Sequence, residues 1–296
     1  MIDSRNSALF CTAQGSSPAR NGAPDAEETV IRLRSGWIAI DWAELYRSRE
    51  LLFFLTWRDV KIRYKQTMLG ASWAVLQPLT TMAIFTVIFG KLAQIPSEGI
   101  PYAVYVLAGL VPWTFFASGV AQAGQSLVNQ QQLLTKIYFP RLFVPTAAAG
   151  AFLIDLAITL VLFAGLMLAF GVAPSRHVVF LPPVLVLTLL ATLGLSYTLA
   201  ALTVMYRDFR YVIPFLIQIL MYASPVVYPV SLMPERYRAV LALNPMFGII
   251  SGFRWAILGT PWDGPVLAVS SASTFALLAF GLFYFRKTER RFADIA

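Results

Sequence analysis

PTAAAGAFLIDLAITLVLFAGLMLAF, residues 145–170, runs for twenty-six residues with one charge, Asp155. At 1.5 Å of rise per helical residue, about 20 such residues match the hydrocarbon thickness of a bilayer. The stretch therefore reads as a membrane-crossing helix. Five more blocks of the same kind follow from hydropathy and length: Trp73 to Lys91, Tyr102 to Ala121, Val178 to Met205, Val212 to Val230 and Val266 to Phe285. The fold class predicted is an all-α integral membrane protein with six transmembrane helices. Composition agrees: hydrophobic residues make up 58% of the 296-residue chain and charged residues 13%, against about 25% charged in a soluble domain.

Six spans place both termini on one side, and basic residues near span ends identify that side as the cytoplasm. With the N-terminus inside, the inner segments hold 18 of the 23 Lys and Arg; Lys91, Arg176, Arg236, Arg238 and Arg254 fall outside. The net charge of +8 is concentrated beside spans, so it points to membrane lipid and not to nucleic acid as the partner. MIDSRNSALF at the start has no basic region followed by an apolar one, which predicts no cleaved signal peptide. The single cysteine, Cys11, excludes an internal disulfide framework and any site needing several thiolates.

Three regions are expected. Residues 1–35 are polar and read as a disordered cytoplasmic tail. Residues 36–70, with aromatics among charges, suit amphipathic helices at the membrane surface; Arg58, Lys61 and Lys65 fall on one helical face, and Asp59 stands four residues before Arg63, where the two can pair. Residues 71–296 hold the spans, a polar inner connection with Leu127, Leu134 and Tyr138 on one face, and an outer connection from Ser231 to Gly264. The outer connection contains two helical stretches separated by Asn244 and Pro245. The first carries three charges and the second is short and holds Arg254, so both are read as helices dipping partway into the membrane.

Catalytic signatures are missing. Gly90-Lys91 comes nearest to a P-loop, but Phe85 stands where the first glycine belongs. The one histidine, His177, reads as a surface residue of a short outer loop. Asp155 is a functional candidate by its depth, or a hydrogen-bonded group that holds the bundle in register; without a second carboxylate the latter is preferred. In the fifth span Tyr211, Phe215, Gln218, Tyr222 and Pro225 recur at spacings of four, three, four and three, on one helical face. Trp73, Gln77 and Thr80 repeat the theme in the first. Such faces suit a path for sugars, whose apolar sides stack on rings while amides and hydroxyls exchange hydrogen bonds; they equally suit helix packing.

Four stretches carry a resemblance: TWRDVKIRYKQTMLGASWAVLQPL (56–79), LLTKIYFPRLFVP (133–145), YRDFRYVIPF (206–215) and LNPMFGIISGFRWAILG (243–259). Together the chain from about residue 40 resembles the membrane subunits of ABC-2 type polysaccharide exporters, bacterial permeases that move O-antigen, capsule or teichoic acid chains. The resemblance implies a homodimer with two cytoplasmic ABC ATPase subunits, ATP and Mg on those partners and no cofactor on this chain. It implies an interface helix over Glu44 to Phe54 and a gate helix over Trp57 to Thr67, with Arg58, Lys61, Arg63 and Lys65 at the substrate entrance. Leu127 to Arg141 would be the coupling segment, with Leu134, Lys136, Tyr138, Pro140 and Arg141 toward the ATPase. Asn244, Pro245, Phe253 and Arg254 would belong to an extracytoplasmic gate. Spans one and five would line the channel through Trp73, Gln77, Thr80, Tyr211, Phe215, Gln218 and Tyr222.

The function expected is thus a non-enzymatic permease exporting a lipid-linked glycan across the bacterial plasma membrane. An exporter of a small drug or lipid shares the bundle and is the first alternative; a membrane-embedded glycan-processing enzyme is the second.

Overall fold

A computed structural model describes residues 46–65, 72–131 and 139–289. The chain divides into two compact units, Met1–Trp37 and Ile38–Ala296; the described residues all lie in the second, and the expected tail 1–35 lies outside them.

Among the described residues the structure is helical, with no strand. Helix α1 is Arg49–Lys65, α2 Ser72–Phe85, α3 Tyr102–Asn129, α4 Phe143–Gly150, α5 Leu153–Ala169 and α6 Leu181–Met205. Then come α7 Phe209–Tyr222, α8 Glu235–Leu241, α9 Pro245–Leu258 and α10 Gly264–Glu289. Five stretches are long and apolar enough to cross a membrane: Ser72–Leu92, Tyr102–Asn129, Phe143–Ala169, Arg176–Met205 and Gly264–Glu289. The first finishes as a π-helix, Thr86–Leu92. The expected fifth span is shorter than its apolar block, because α7 has 14 residues and stops at Tyr222. That is about 21 Å of helix against a hydrocarbon core of about 30 Å. The stop is local: Ser224 precedes Pro225, and a residue before proline is pushed out of the helical region. Helices α8 and α9 meet at 109°, a bend that fits either a re-entrant pair or one broken span.

Helix α3 is the axis of the bundle. Of its most apolar window 83% is buried, against 6% for the first span, and α2, α4, α5, α6, α7 and α9 all pack on it. Its length takes Leu127 into the bundle core beside Leu55, Phe143 and Phe285, so Leu127 belongs to α3 and not to a separate surface helix. Lipid offers no hydrophobic drive for helices to associate, so close packing at small residues must do it. Between α6 and α10 a Cβ on Gly194 would lie 2.8 Å from the Leu278 backbone nitrogen, and one on Gly281 would collide with the Gly194 carbonyl. Buried threonines on α6 are satisfied within the helix: Thr188 donates to Val184 O at 2.8 Å, Thr192 to Thr188 O at 2.7 Å and Thr203 to Leu199 O at 2.7 Å, the back-bonding open to threonine in a helix.

Helix α1 is continuous where an interface helix and a gate helix were expected; Glu44 and Thr67, at the outer limits of those two, lie outside the described residues. It rests on α4, with Leu55 and Val60 buried, while Phe53, Phe54 and Ile62 stay exposed.

Candidate functional site

Irregular backbone at membrane depth is tolerated only where protein satisfies its polar groups. The segment after α7 shows how this is done. Arg254, on α9 and 2% exposed, donates to the carbonyls of Pro225 and Val226, each at 2.6 Å, and of Tyr228 at 3.3 Å. It also donates to the Tyr105 carbonyl at 3.2 Å and hydroxyl at 2.9 Å, with its guanidinium 3.8 Å from the centre of the Tyr105 ring. Tyr102 supplies the Val227 carbonyl with a 2.6 Å bond, and the Tyr228 hydroxyl caps Tyr222 O at 3.0 Å. One guanidinium therefore joins the end of α7, the head of α3 and α9. The approach requires a glycine: a Cβ at Gly109 would stand 2.7 Å from Arg254 Nη2 and 2.8 Å from Val226 O. Asn244 caps α9, accepting from Met246 N at 3.1 Å and donating to Ser224 Oγ at 2.8 Å, with Pro245 at the first helical position. Phe253 is fully buried.

A second arginine organises the α1 end. Arg63 lies 3.0 Å from Asp155 Oδ2 and 3.8 Å from the centre of the Phe152 ring, and the Tyr64 hydroxyl donates to Asp155 Oδ1. Burial, this hydrogen bond and the carboxylate's charge push the Tyr64 phenol up to about 12, with Arg63 pulling the other way. Around these groups opens a cleft of ≈ 200 Å³ between α1, α2, α3 and α5, which also takes in Trp73 and Gln77 from the first span and Thr114, Ser118 and Thr159 from α3 and α5. Asp155 thus has two partners from a different element, Arg63 and Tyr64.

The structure separates the residues singled out by sequence into groups. Trp73 and Gln77 meet Arg63 in the cleft, while Thr80, although exposed, is not part of its lining. Tyr211, Phe215, Gln218 and Tyr222 form an exposed face of α7, Tyr211 at 81% and Tyr222 at 69%; that face lines neither this cleft nor the one beside Arg254. Arg58 is bound to Asp59 at 2.7 Å and to Gln130 Oε1 at 2.7 Å, so Asp59 pairs with its neighbour and not with Arg63, whose guanidinium is drawn to α5. Lys61 and Lys65 are exposed, Lys61 lying 5.6 Å over the Trp57 ring. Of the coupling residues, Leu134, Lys136 and Tyr138 lie outside the described residues; Pro140 O accepts the first bond of α4, and Arg141 donates to Glu289 O at 2.9 Å.

Tyr105, Tyr64, Gly109, Thr114 and Ser118 were not singled out by sequence. A signal existed for the first: Tyr102 and Tyr105 stand one turn apart at the head of a span, where amphipathic rings concentrate. None existed for Gly109, whose role depends on a guanidinium 145 positions away in the chain.

The family described as "ABC-2 type transporter" matches residues 50–258, from α1 to the end of α9. The chain is 32% identical to the O-antigen export system permease protein RfbA of Myxococcus xanthus over 251 residues, covering 83% of this chain and 96% of that protein. The RfbA of Klebsiella pneumoniae is 27% identical over 249 residues, covering 83% and 95%. The polysialic acid transport protein KpsM of Escherichia coli is 28% identical over 243 residues, covering 78% and 91%.

Proposed function

The chain belongs to the ABC-2 type transporter family, and from that premise we propose that it is the channel-forming permease of an ATP-driven exporter, moving a lipid-linked polysaccharide of the O-antigen or capsule kind from the cytoplasmic side across the bacterial plasma membrane. The observation that carries this reading is the exposed face of α7, where the Gln218 amide stands between the rings of Phe215 and Tyr222. Lipid offers an amide no hydrogen bond, and leaving one unpaired there is costly. A facing wall from a second copy of the chain, related by a two-fold axis, would turn the same stripe inward. Sugar chains can then move along it through many weak contacts, since conduction needs sites that release as readily as they bind. The relatives named for O-antigen and polysialic acid transport support a glycan as cargo.

In this reading the basic helix ends face the cytoplasm with both termini. Two ATPase subunits, carrying ATP and Mg, dock on the segment containing Leu134, Lys136, Tyr138, Pro140 and Arg141. Nucleotide binding favours one of two permease arrangements, and that difference in affinity biases the opening. The bond from Arg141 to Glu289 O ties the docking segment to α10, so a displacement below is passed to a full-length span. Lys61 and Lys65, without a carboxylate partner among the described residues, draw an anionic headgroup to the entrance. Asn244, Pro245, Phe253 and Arg254 hold the opposite gate.

The test is export. Cells lacking the chain should lose a surface polysaccharide and accumulate its lipid-linked form inside, and the wild-type gene should restore it. Alanine at Tyr211, Phe215 and Tyr222 together should impair export while the chain still co-purifies with its ATPase. Equal loss of both would mean that the stripe only packs helices, and an unchanged surface glycan in the deletion would overturn the exporter reading.

A further inference from the structure

The α1 end holds four cationic side chains, of which two are already neutralised. Arg58 is engaged by Asp59 and Gln130, and Arg63 by Asp155. The cleft around Arg63 is therefore charge-balanced: an anion entering it would gain the guanidinium and meet the carboxylate. Its remaining equipment is of another kind. Asp155 offers acceptor oxygens, Arg63 offers donors, the Gln77 amide and the Ser118 hydroxyl offer both, the Thr114 hydroxyl, which donates to Val111 O, offers an acceptor, and the exposed indole of Trp73 is part of the lining. At ≈ 200 Å³ the space is below the range of about 300 Å³ upward typical of drug-sized ligands, and of the order of one six-membered polyol ring.

We infer that this cleft is a subsite for a single uncharged pyranose ring, with Trp73 stacking on its apolar side, Asp155 and Arg63 holding its hydroxyls, and Gln77 selecting among hydroxyl configurations. The inference rests on the glycan-exporter reading and deepens it by dividing the labour at the entrance. Exposed Lys61 and Lys65 serve the anionic headgroup, and the balanced Arg63–Asp155 cleft takes a neutral sugar. A carboxylate and a guanidinium side by side present acceptors and donors in set directions, which is what distinguishing one hydroxyl configuration from another requires. Phe152, stacked on the guanidinium at 3.8 Å, keeps Arg63 from following an incoming ligand.

The experiment uses the full chain in lipid nanodiscs, titrated with the methyl glycosides of glucose, mannose, galactose and N-acetylglucosamine and, separately, with inorganic pyrophosphate. The readout is the fluorescence of Trp73, isolated from the other tryptophans of the seven by subtracting the Trp73→Phe variant. At least one glycoside should give a saturable signal with millimolar affinity. Asp155→Asn and Gln77→Ala should each weaken it about tenfold, the cost of one charge-assisted or buried hydrogen bond. Elution of each variant at the wild-type position from a sizing column verifies folding. The subsite is overturned if no glycoside gives the signal, if pyrophosphate gives it and competes with the glycosides, or if Asp155→Asn and Gln77→Ala leave glycoside binding intact. Loss of the subsite with export preserved would leave the exporter reading standing. A gene deletion without effect on surface glycan would remove that reading whatever the nanodiscs show.

Discussion

Arg254 and Arg63 each join distant helices through one guanidinium, and they are held by opposite means. Arg254 is 2% exposed and hydrogen-bonded to neutral acceptors, four carbonyls and the Tyr105 hydroxyl, with the Tyr105 ring against it. Arg63, its side chain 40% exposed, has a carboxylate, a ring and an open cleft. The first arrangement gives three carbonyls of the backbone after α7 their donor and anchors the same guanidinium on Tyr105, so removing it exposes those carbonyls. The second leaves donors free at a water-accessible wall, so a ligand can add to the pair without dismantling it. A buried guanidinium caged by carbonyls is thus a structural pin, and a half-open ion pair is a place where binding can occur.

Replacing the pin should have the largest effect. Arg254→Ala strands the carbonyls of Pro225, Val226 and Tyr228, and since each unsatisfied buried group costs about 1–3 kcal/mol, little folded protein should survive detergent extraction and gel filtration. Arg254→Lys keeps the charge and loses the planar fork; it should be recovered in part, with a lowered melting temperature. Recovery of Arg254→Ala at wild-type yield would break the contrast.

Gly109→Ala comes next. Its methyl meets Arg254 Nη2 and the Val226 carbonyl at 2.7 and 2.8 Å, and the second is backbone that cannot swing aside. The overpacking cost of about 1–3 kcal/mol exceeds the gain of up to about 1 kcal/mol from alanine's better helix propensity. Thermal unfolding in detergent measures the balance.

The Arg63–Asp155 pair should be weak. A double-mutant cycle with Arg63→Gln and Asp155→Asn is expected to give about 0.5–1 kcal/mol of coupling, as for partly exposed pairs, and to shrink when salt shortens the screening length. A coupling that is large and indifferent to salt would make this site a second pin.

The smallest effect is the alkaline response of Tyr64. Its phenol is held at about 12 against 10.0 for the free group, so the folded state keeps the proton longer than the unfolded state does. Its contribution to stability is complete below pH 10 and is lost as the pH rises toward 12. The stability difference between wild type and Tyr64→Phe should therefore be flat through neutral pH and narrow only across that alkaline window, as followed by unfolding at a series of pH values.

Reading along the chain locates what depends on neighbours in sequence. The third span was visible because twenty-six consecutive residues share one property, and the pair α8 and α9 because Arg254 and three other charges shorten the apolar blocks there. Asp155 stood out for the same reason, a charge inside an apolar run. Its partner did not: Arg63 lies 92 positions earlier and reads locally as a companion to Asp59. The end of the fifth span was overestimated because hydropathy continues smoothly through Val226 and Val227, while Pro225 stops the helix and the freed carbonyls find a donor on α9.

What the sequence by itself determined is the number of apolar segments, their bias toward one side and the presence of aromatic faces on the first and fifth. These are sums of solvation free energies over contiguous residues, to which tertiary context adds little. What only the tertiary structure decided is the partner of each charge. A guanidinium is stabilised by whichever acceptors lie within about 3 Å, and in a bundle those acceptors come from helices remote in sequence. Arg254 and Arg63, alike as letters, became a pin and a binding wall because one met carbonyls that nothing else could satisfy and the other met a carboxylate beside an open cleft.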